Sequence, residues 1–299
     1  MNGFLCVNKP QGLSSFKIIA ELRKVLKIKK IGHAGTLDPE ASGLLVVAVG
    51  SATRLIRYLP IEPKVYRFGL QFGSQTDTLD SKGTVVADGG IFPLPAQLKL
   101  ALNRFHGEYL QVPPAFSAKK INGVRAYKLA RNGNTPSLKP CRVMIHSLDL
   151  IQYDQERGTA ELELCCSGGT YVRALVRDLA SDLNTYGFAS FIRRCSSGNF
   201  NLEQAMEIDD IKHAVNYIMP AAVVLGNESS IQLSQHHHQR LIHGLDISLP
   251  QMNGSTEKRI FAYSGTHLLA VLQWKQGSEF HPVVVFPLTG DSDEASFNR

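Results

Sequence analysis

The sequence predicts an α+β protein, with a large mixed unit over residues 1–225 and a small β-rich unit over 229–289. Three features of the chain point to this class. Tyr66-Arg67-Phe68-Gly69-Leu70-Gln71-Phe72 alternates with the period of two that a half-buried strand requires. Residues 14–27 instead place Ile18, Ile19, Leu22, Val25 and Leu26 near helical spacing. Beyond Met219 only short strand-like runs remain, separated by turn residues. A chain of 299 residues has room for a well-buried core in one large unit and one small one.

In chain order, Phe4–Val7 reads as a strand ending in the turn Asn8-Lys9-Pro10-Gln11-Gly12, and Ser14 or Ser15 caps a helix running to about Lys27. A turn-rich loop, Gly32–Leu45, leads into a buried strand at Leu45–Val49. After the alternating strand at Tyr66–Phe72, Gly73–Gly83 has the composition of a loop, and Pro95 to about Phe105 of a helix. Strands follow at Arg142–Tyr153 and Ala160–Cys166, then a helix over Tyr171–Leu183 opened by Ser167-Gly168-Gly169-Thr170. Gly226-Asn227-Glu228-Ser229-Ser230 is the linker. The runs Ile247–Leu249, Arg259–Tyr263, Leu268–Trp274 and Val283–Leu288 build the small β unit, and residues 290–299 read as a disordered tail.

Charge divides the chain unevenly. Residues 1–150 carry 21 Lys/Arg against 9 Asp/Glu, a balance of +12, whereas 151–299 carry 11 against 17, a balance of −6. A basic half of that size is a footprint for a polyanion, nucleic acid first among the candidates. Cys6, Cys141, Cys165, Cys166 and Cys195 show no metal-like spacing and read as small buried hydrophobes in a reducing compartment. With neither a signal-peptide pattern nor an apolar run of the ~18 residues a membrane helix needs, the expected location is cytoplasmic.

Two stretches concentrate chemistry. Gly32-His33-Ala34-Gly35-Thr36-Leu37-Asp38-Pro39-Glu40-Ala41-Ser42-Gly43-Leu44-Leu45 holds one aspartate in a backbone constrained by three glycines and a proline. By pattern alone, Asp38 before proline is more commonly a turn residue bonding nearby amides. The second stretch, residues 113–131, carries five basic residues and no acid, with Phe116 and Tyr127 interleaved. Basic groups grip phosphates while aromatics offer stacking faces, which suits a nucleic-acid clamp.

The loop string resembles the signature G-H-x-G-x-L-D-P-x-A-x-G-L-L of the TruB family of tRNA pseudouridine synthases, with Ala34 where Thr is commoner and Glu40 where Leu is commoner. Residues 113–131 are similar to that family's thumb loop, Val65-Tyr66-Arg67 to its K-x-Y-R strand, and Cys166–Arg173 to its C-S-x-G-T-Y-[IV]-R segment, with Gly168 where Lys is common. The C-terminal unit is similar to a PUA domain, mainly through Leu241-Ile242-His243-Gly244 and the terminal strand.

The resemblance implies a pseudouridine synthase fold, a mixed and largely antiparallel sheet flanked by helices, with a thumb-like RNA-binding insertion at about 113–140 and a PUA-like domain behind. It further implies isomerisation of uridine 55 in the tRNA T loop, without metal or other cofactor. Asp38 takes the role of nucleophile, Arg173 that of its counter-ion, and Tyr66 stacks on the base and is the candidate for removing the C5 proton. Tyr171 bounds the uracil pocket, Ile192 packs under the uracil, and His33 fills the space that the flipped-out base vacates. Lys119, Lys120 and Arg125 grip the RNA.

Whether Asp38 attacks C1′ or C6, or assists a glycal intermediate, stays open. Expected partners are tRNA alone, with no membrane and no obligatory protein partner, the chain being a monomer. A ribosomal or guide-directed RNA substrate and a tRNA-folding chaperone are the rival functions. Lys9-Pro10 is expected to buttress the loop, Thr76, Asp77, Thr78 and Asp80 to cap a turn, and His236-His237-His238 to form an exposed helix start.

Overall fold

A computed structural model describes residues 1–117, 119–121, 123–131, 138–226, 228–252 and 257–286. The side chains of Lys120, Arg131 and Gln235 and the proposed tail over 290–299 lie outside that description.

The chain opens with β1 (Gly3–Lys9), α1 (Ser15–Leu26), β2 (Ile31–His33) and β3 (Ala41–Val49), followed by a 3-10 segment at Gly50–Tyr58. Next come β4 (Lys64–Phe72), β5 (Ser74–Thr76), β6 (Val85–Asp88), α2 (Pro95–Arg104) and β7 (Gly107–Gln111). The basic arm folds as β8 (Lys120–Ile121), β9 (Val124–Arg125) and α3 (Ala126–Arg131). Two long strands, β10 (Cys141–Asp154) and β11 (Thr159–Cys166), precede α4 (Val172–Asp182) and β12 (Gly187–Ser197). After β13 (Phe200–Asn201), β14 (Met206–Glu207) and α5 (Ala221–Val224), the chain ends in β15 (Ser230–Gln232), α6 (Gln235–Ile242), β16 (Ile247–Ser248), β17 (Arg259–Ser264), β18 (His267–Gln276) and β19 (Glu279–Val285).

The large sheet runs β14-β1-β3-β12-β4-β11-β10-β7, with β2 beside β3 and β13 beside β12. It is mixed and mostly antiparallel; β1 with β14 and β3 with β12 are its parallel pairs. Strand β12 occupies the centre, paired to β3 on one side and β4 on the other. A second, five-stranded sheet runs β15-β17-β18-β19-β16.

Two hydrophobic layers explain why β1 and β3 are apolar on both faces. Leu5, Val7, Leu45, Val47 and Val49 face a core shared with Ile18 and Leu22 of α1 and Leu175 and Leu179 of α4. Phe4, Cys6, Leu44, Val46 and Ala48 face the opposite way, toward Leu55 and toward Phe261, Val271 and Val284 of the second sheet. At roughly 1.5–3 kcal/mol for each fully buried large apolar side chain, both layers are substantial. The second sheet is therefore seated on the back of the first, leaving the front ends of β3, β4 and β12 to form the cleft.

Helix α1 follows its sequence signals: Ser14 Oγ accepts from the Lys17 amide at 3.2 Å, and Lys27 ends the helix in the left-handed region at φ 55°. At α6 the histidine run does begin a helix, but His238 is buried rather than exposed, its Nε2 lying 3.5 Å from the Phe286 carbonyl oxygen. The α6 face toward β19 carries this side chain inward, which three adjacent polar residues do not reveal. No described helix is long and apolar enough to cross a membrane.

Candidate active site

The β2–β3 pairing, His33 against Val47 through Ile31 against Val49, closes residues 34–40 into a short connection presenting Asp38. Much of the stretch that reads as loop is thus strand. Its remainder is tied from beneath: Ser15 Oγ both donates to the Leu37 carbonyl and accepts from the Leu37 amide, each at 2.9 Å, and the Gly12 amide donates to Pro39 O at 2.8 Å. Fully buried Lys9 donates through Nζ to Leu13 O at 2.7 Å, Pro10 O at 2.9 Å and Pro39 O at 3.3 Å. Burial pulls its pKa down to about 8, against the attraction of Asp38 and Glu40. At φ 98°, Gly43 lies against the Arg194 backbone, where a Cβ would collide.

The opposing wall is the first turn of α4. Arg173, 4% exposed, donates through Nη2 to Asp38 Oδ2 at 2.5 Å and to the Phe116 carbonyl at 2.9 Å, and through Nη1 to Thr78 O at 2.7 Å. Asp80 Oδ2 stands 3.6 Å from the same Nη1. The guanidinium is therefore surrounded by acceptors, while the Asp38 side chain keeps 39% of its surface. Only the loss of both carboxylates would leave the buried cation uncompensated. The α4 start is itself fixed by buried Gln111, whose side-chain oxygen accepts from the Tyr171 amide at 2.8 Å and whose nitrogen donates to Tyr171 O at 3.1 Å.

Between these walls lies a cleft of about 290 Å³ lined by Asp38, Tyr66, Tyr171, Arg173 and Ile192, together with Lys64, Arg194 and the Gly35–Leu37 and Gly169–Thr170 backbones. Tyr66 and Ile192 are nearly buried, on the paired strands β4 and β12. Burial raises the Tyr66 phenol above its ordinary value, while the nearby Arg194 guanidinium acts the other way. Burial also raises Tyr171, opposed by the charge of Lys119.

The other expected residues lie apart. His33 is at the end of β2 and does not line the cleft; burial, then Arg194, lower its pKa. Lys119 comes near through Tyr171 and donates to Cys141 Sγ, whereas Arg125 is exposed on β9. Two cleft residues, Lys64 and Arg194, carry no role in the sequence motifs as read, and a third residue behind the cleft, Asp80, does more than the turn capping expected of it. Asp80 caps its turn, its Oδ1 accepting from Thr78 Oγ1 at 2.7 Å and the Lys82 amide at 3.1 Å, yet its second oxygen faces Arg173. Leu79 adopts φ 62° in that turn, a conformation costing a branched residue about 1–3 kcal/mol. Arg194 and Lys64 were findable by period two, since they share a face with Ile192 and with Tyr66.

Fold and cleft together define a class. Cbf5 chains in a Cbf5-Nop10-Gar1 complex and in an archaeal box H/ACA sRNP Nop10-Cbf5 complex superpose with TM-scores of 0.71 and 0.69, each over 95% of this chain and over 84% and 85% of theirs. Their identities of 21% and 19% establish likeness of fold, and that fold is the pseudouridine synthase one. More specifically, the chain belongs to the TruB family of pseudouridylate synthases: the family's N-terminal domain model matches residues 23–172. The tRNA pseudouridine synthase B of Caldanaerobacter subterraneus subsp. tengcongensis is 38% identical over 248 residues, covering 82% of this chain and 85% of its own. That of Aquifex aeolicus is 34% identical over 280 residues, 93% and 97% of the two chains. The chain is accordingly an isomerase.

Proposed function

We propose that the protein isomerises uridine 55 in the T loop of tRNA to pseudouridine, with Asp38 as nucleophile on a flipped-out nucleotide. The carrying observation is a carboxylate held by a buried guanidinium yet open to a cleft of nucleoside size. Chemically, the C1′–N1 bond breaks and a C1′–C5 bond forms, C5 loses a proton and N1 gains one. The sum is redox-neutral and needs no co-reactant. Asp38 activates the nucleotide, and the Arg173 ion pair keeps its reactive oxygen aimed.

Tyr66 stacks on the uracil and takes the C5 proton, the neighbouring Arg194 favouring the phenolate that burial makes scarce. Ile192 packs under the ring and Tyr171 bounds it. His33 fills the vacated stack in the RNA, and flipping is offset by contacts in the cleft. Residues 1–225 form the catalytic unit, the insertion at 113–140 grips the RNA through Lys119, Lys120 and Arg125, and 229–289 add a PUA-like RNA-binding module. The protein works as a monomer in the cytoplasm. Purified protein on an unmodified tRNA transcript is expected to convert position 55; a transcript left unchanged there overturns the assignment.

A further inference from the structure

Lys64 begins β4 two residues before Tyr66, so both side chains project from the same face, about 7 Å apart along the strand. It lines the cleft beside Gly35 and Gly169. Its Nζ lies 3.7 Å from where a Cβ on Gly35 would sit, so that side-chain-free position leaves room beside the ammonium, whereas the corresponding point on Gly168 is taken up by the Glu62 carboxylate.

Among the described residues, Lys64 makes no hydrogen bond and no ion pair within 4 Å; the Glu62 carboxylate, beside the same Gly168, attracts it from just beyond that distance. A neighbouring charge of the same sign is Arg194, 1% exposed. Arg194 is bonded to the Leu44 carbonyl at 2.8 Å and the Gly35 carbonyl at 3.2 Å and lies near the Tyr66 phenol, with no carboxylate within 4 Å among the described residues. Arg173, by contrast, is matched by Asp38 and Asp80. One end of the cleft thus holds an ion-paired guanidinium, and the other, among the described residues, holds two cations with no carboxylate within 4 Å of either.

We propose that Lys64 is a phosphate-binding residue, its ammonium taking the RNA phosphate next to the nucleotide that Tyr66 receives. The assignment rests on an RNA substrate, as in the proposed function. Burial, and then the repulsion of Arg194, lower the Lys64 pKa, a cost that an arriving phosphate relieves. Arg194, 1% exposed at the cleft wall, adds its field beside Lys64. An adjacent phosphate is favoured over a distant one because Lys64 and Tyr66 are neighbours on one strand face.

The test uses an RNA stem-loop containing the target uridine, unmodified or with one flanking phosphate replaced by an uncharged methylphosphonate on its 5′ or 3′ side. Wild type, Lys64→Met and Lys64→Arg are titrated at several salt concentrations. Lys64→Met is expected to weaken binding roughly tenfold, the scale of a charged hydrogen bond, and to lower the salt slope by about 0.7. Lys64→Arg should retain both. One methylphosphonate should weaken wild type to the same degree and leave Lys64→Met unaffected. Equal losses in both proteins at each position, or an unchanged salt slope in Lys64→Met, would overturn the proposal. The RNA substitutions leave protein folding untouched, and the titration reads binding alone. A wild type that binds the stem-loop but forms no pseudouridine would therefore refute the reaction while the comparison still decides Lys64.

Discussion

The Asp38 loop and the basic arm are both short, turn-rich connections, yet they are held very differently. Residues 34–40 are tied from below by Ser15, Gly12 and Lys9 and from the side by Arg173. The arm at 119–131 is a two-residue hairpin with one turn of helix, joined to its own base by the Ala126 amide to Lys119 O and the Tyr127 amide to Ser117 O. Positioning a reacting carboxylate demands that its alternatives be removed, because small misplacements cost large factors in rate. Gripping a polyanion demands charge and reach, and tolerates variation in both. The Phe116 carbonyl, bonded to Arg173, is where the two regions meet.

Variants can break this contrast in graded steps. Asp38→Asn should lower kcat by roughly 10⁴-fold or more while leaving RNA affinity near wild type, read by single-turnover product formation beside a binding titration. Full turnover in that variant would remove Asp38 from the chemistry. Asp80→Asn retains an acceptor for Thr78 and the Lys82 amide but removes the negative charge beside Arg173. Its kcat should fall on the order of 10²-fold through loss of aim, with little change in Kd.

Lys9→Met tests the underside of the loop by pH. The Lys9 pKa is about 8 in the folded protein against an ordinary 10.5, so between those values the unfolded chain binds more protons. Wild-type stability should accordingly rise relative to Lys9→Met as pH goes from 8 to 10.5, measured as the difference in urea midpoints. Parallel pH profiles would show that Lys9 is not desolvated. The smallest effect on kcat belongs to the arm: joint replacement of Lys119, Lys120 and Arg125 by Ala should weaken RNA binding and flatten its salt dependence by about 0.7–0.9 per lost contact. Saturating kcat should hold, and a large drop there would erase the distinction between the two regions.

Legibility followed how locally each feature is encoded. Helix α1 and strand β4 announce themselves through capping and period, and both occur where those signals fall. Strand β12, the centre of the large sheet, passed unread: Gly187-Phe188-Ala189-Ser190-Phe191-Ile192-Arg193-Arg194-Cys195-Ser196-Ser197 mixes small, aromatic and basic residues without clean alternation. Its register slips against β4 between Ala189 and Phe191 and again between Arg194 and Ser196, which breaks the period a sequence reader relies on. Asp80 looked like a turn cap because one of its oxygens is one; the other serves a residue 93 positions away.

By itself the sequence determined the α+β class, the aspartate in a constrained loop, the basic arm and, through its motifs, the family. These depend on local periods, turn chemistry and short strings, all written within a few residues of one another. Only the tertiary structure decided that Arg173 stands between Asp38 and Asp80, that Arg194 supports Tyr66 from within the sheet, and that Lys64 faces the cleft with no ion-pair partner among the described residues. The reason is physical: a buried charge is defined by what surrounds it, and its surroundings come from strands and turns far apart in the chain.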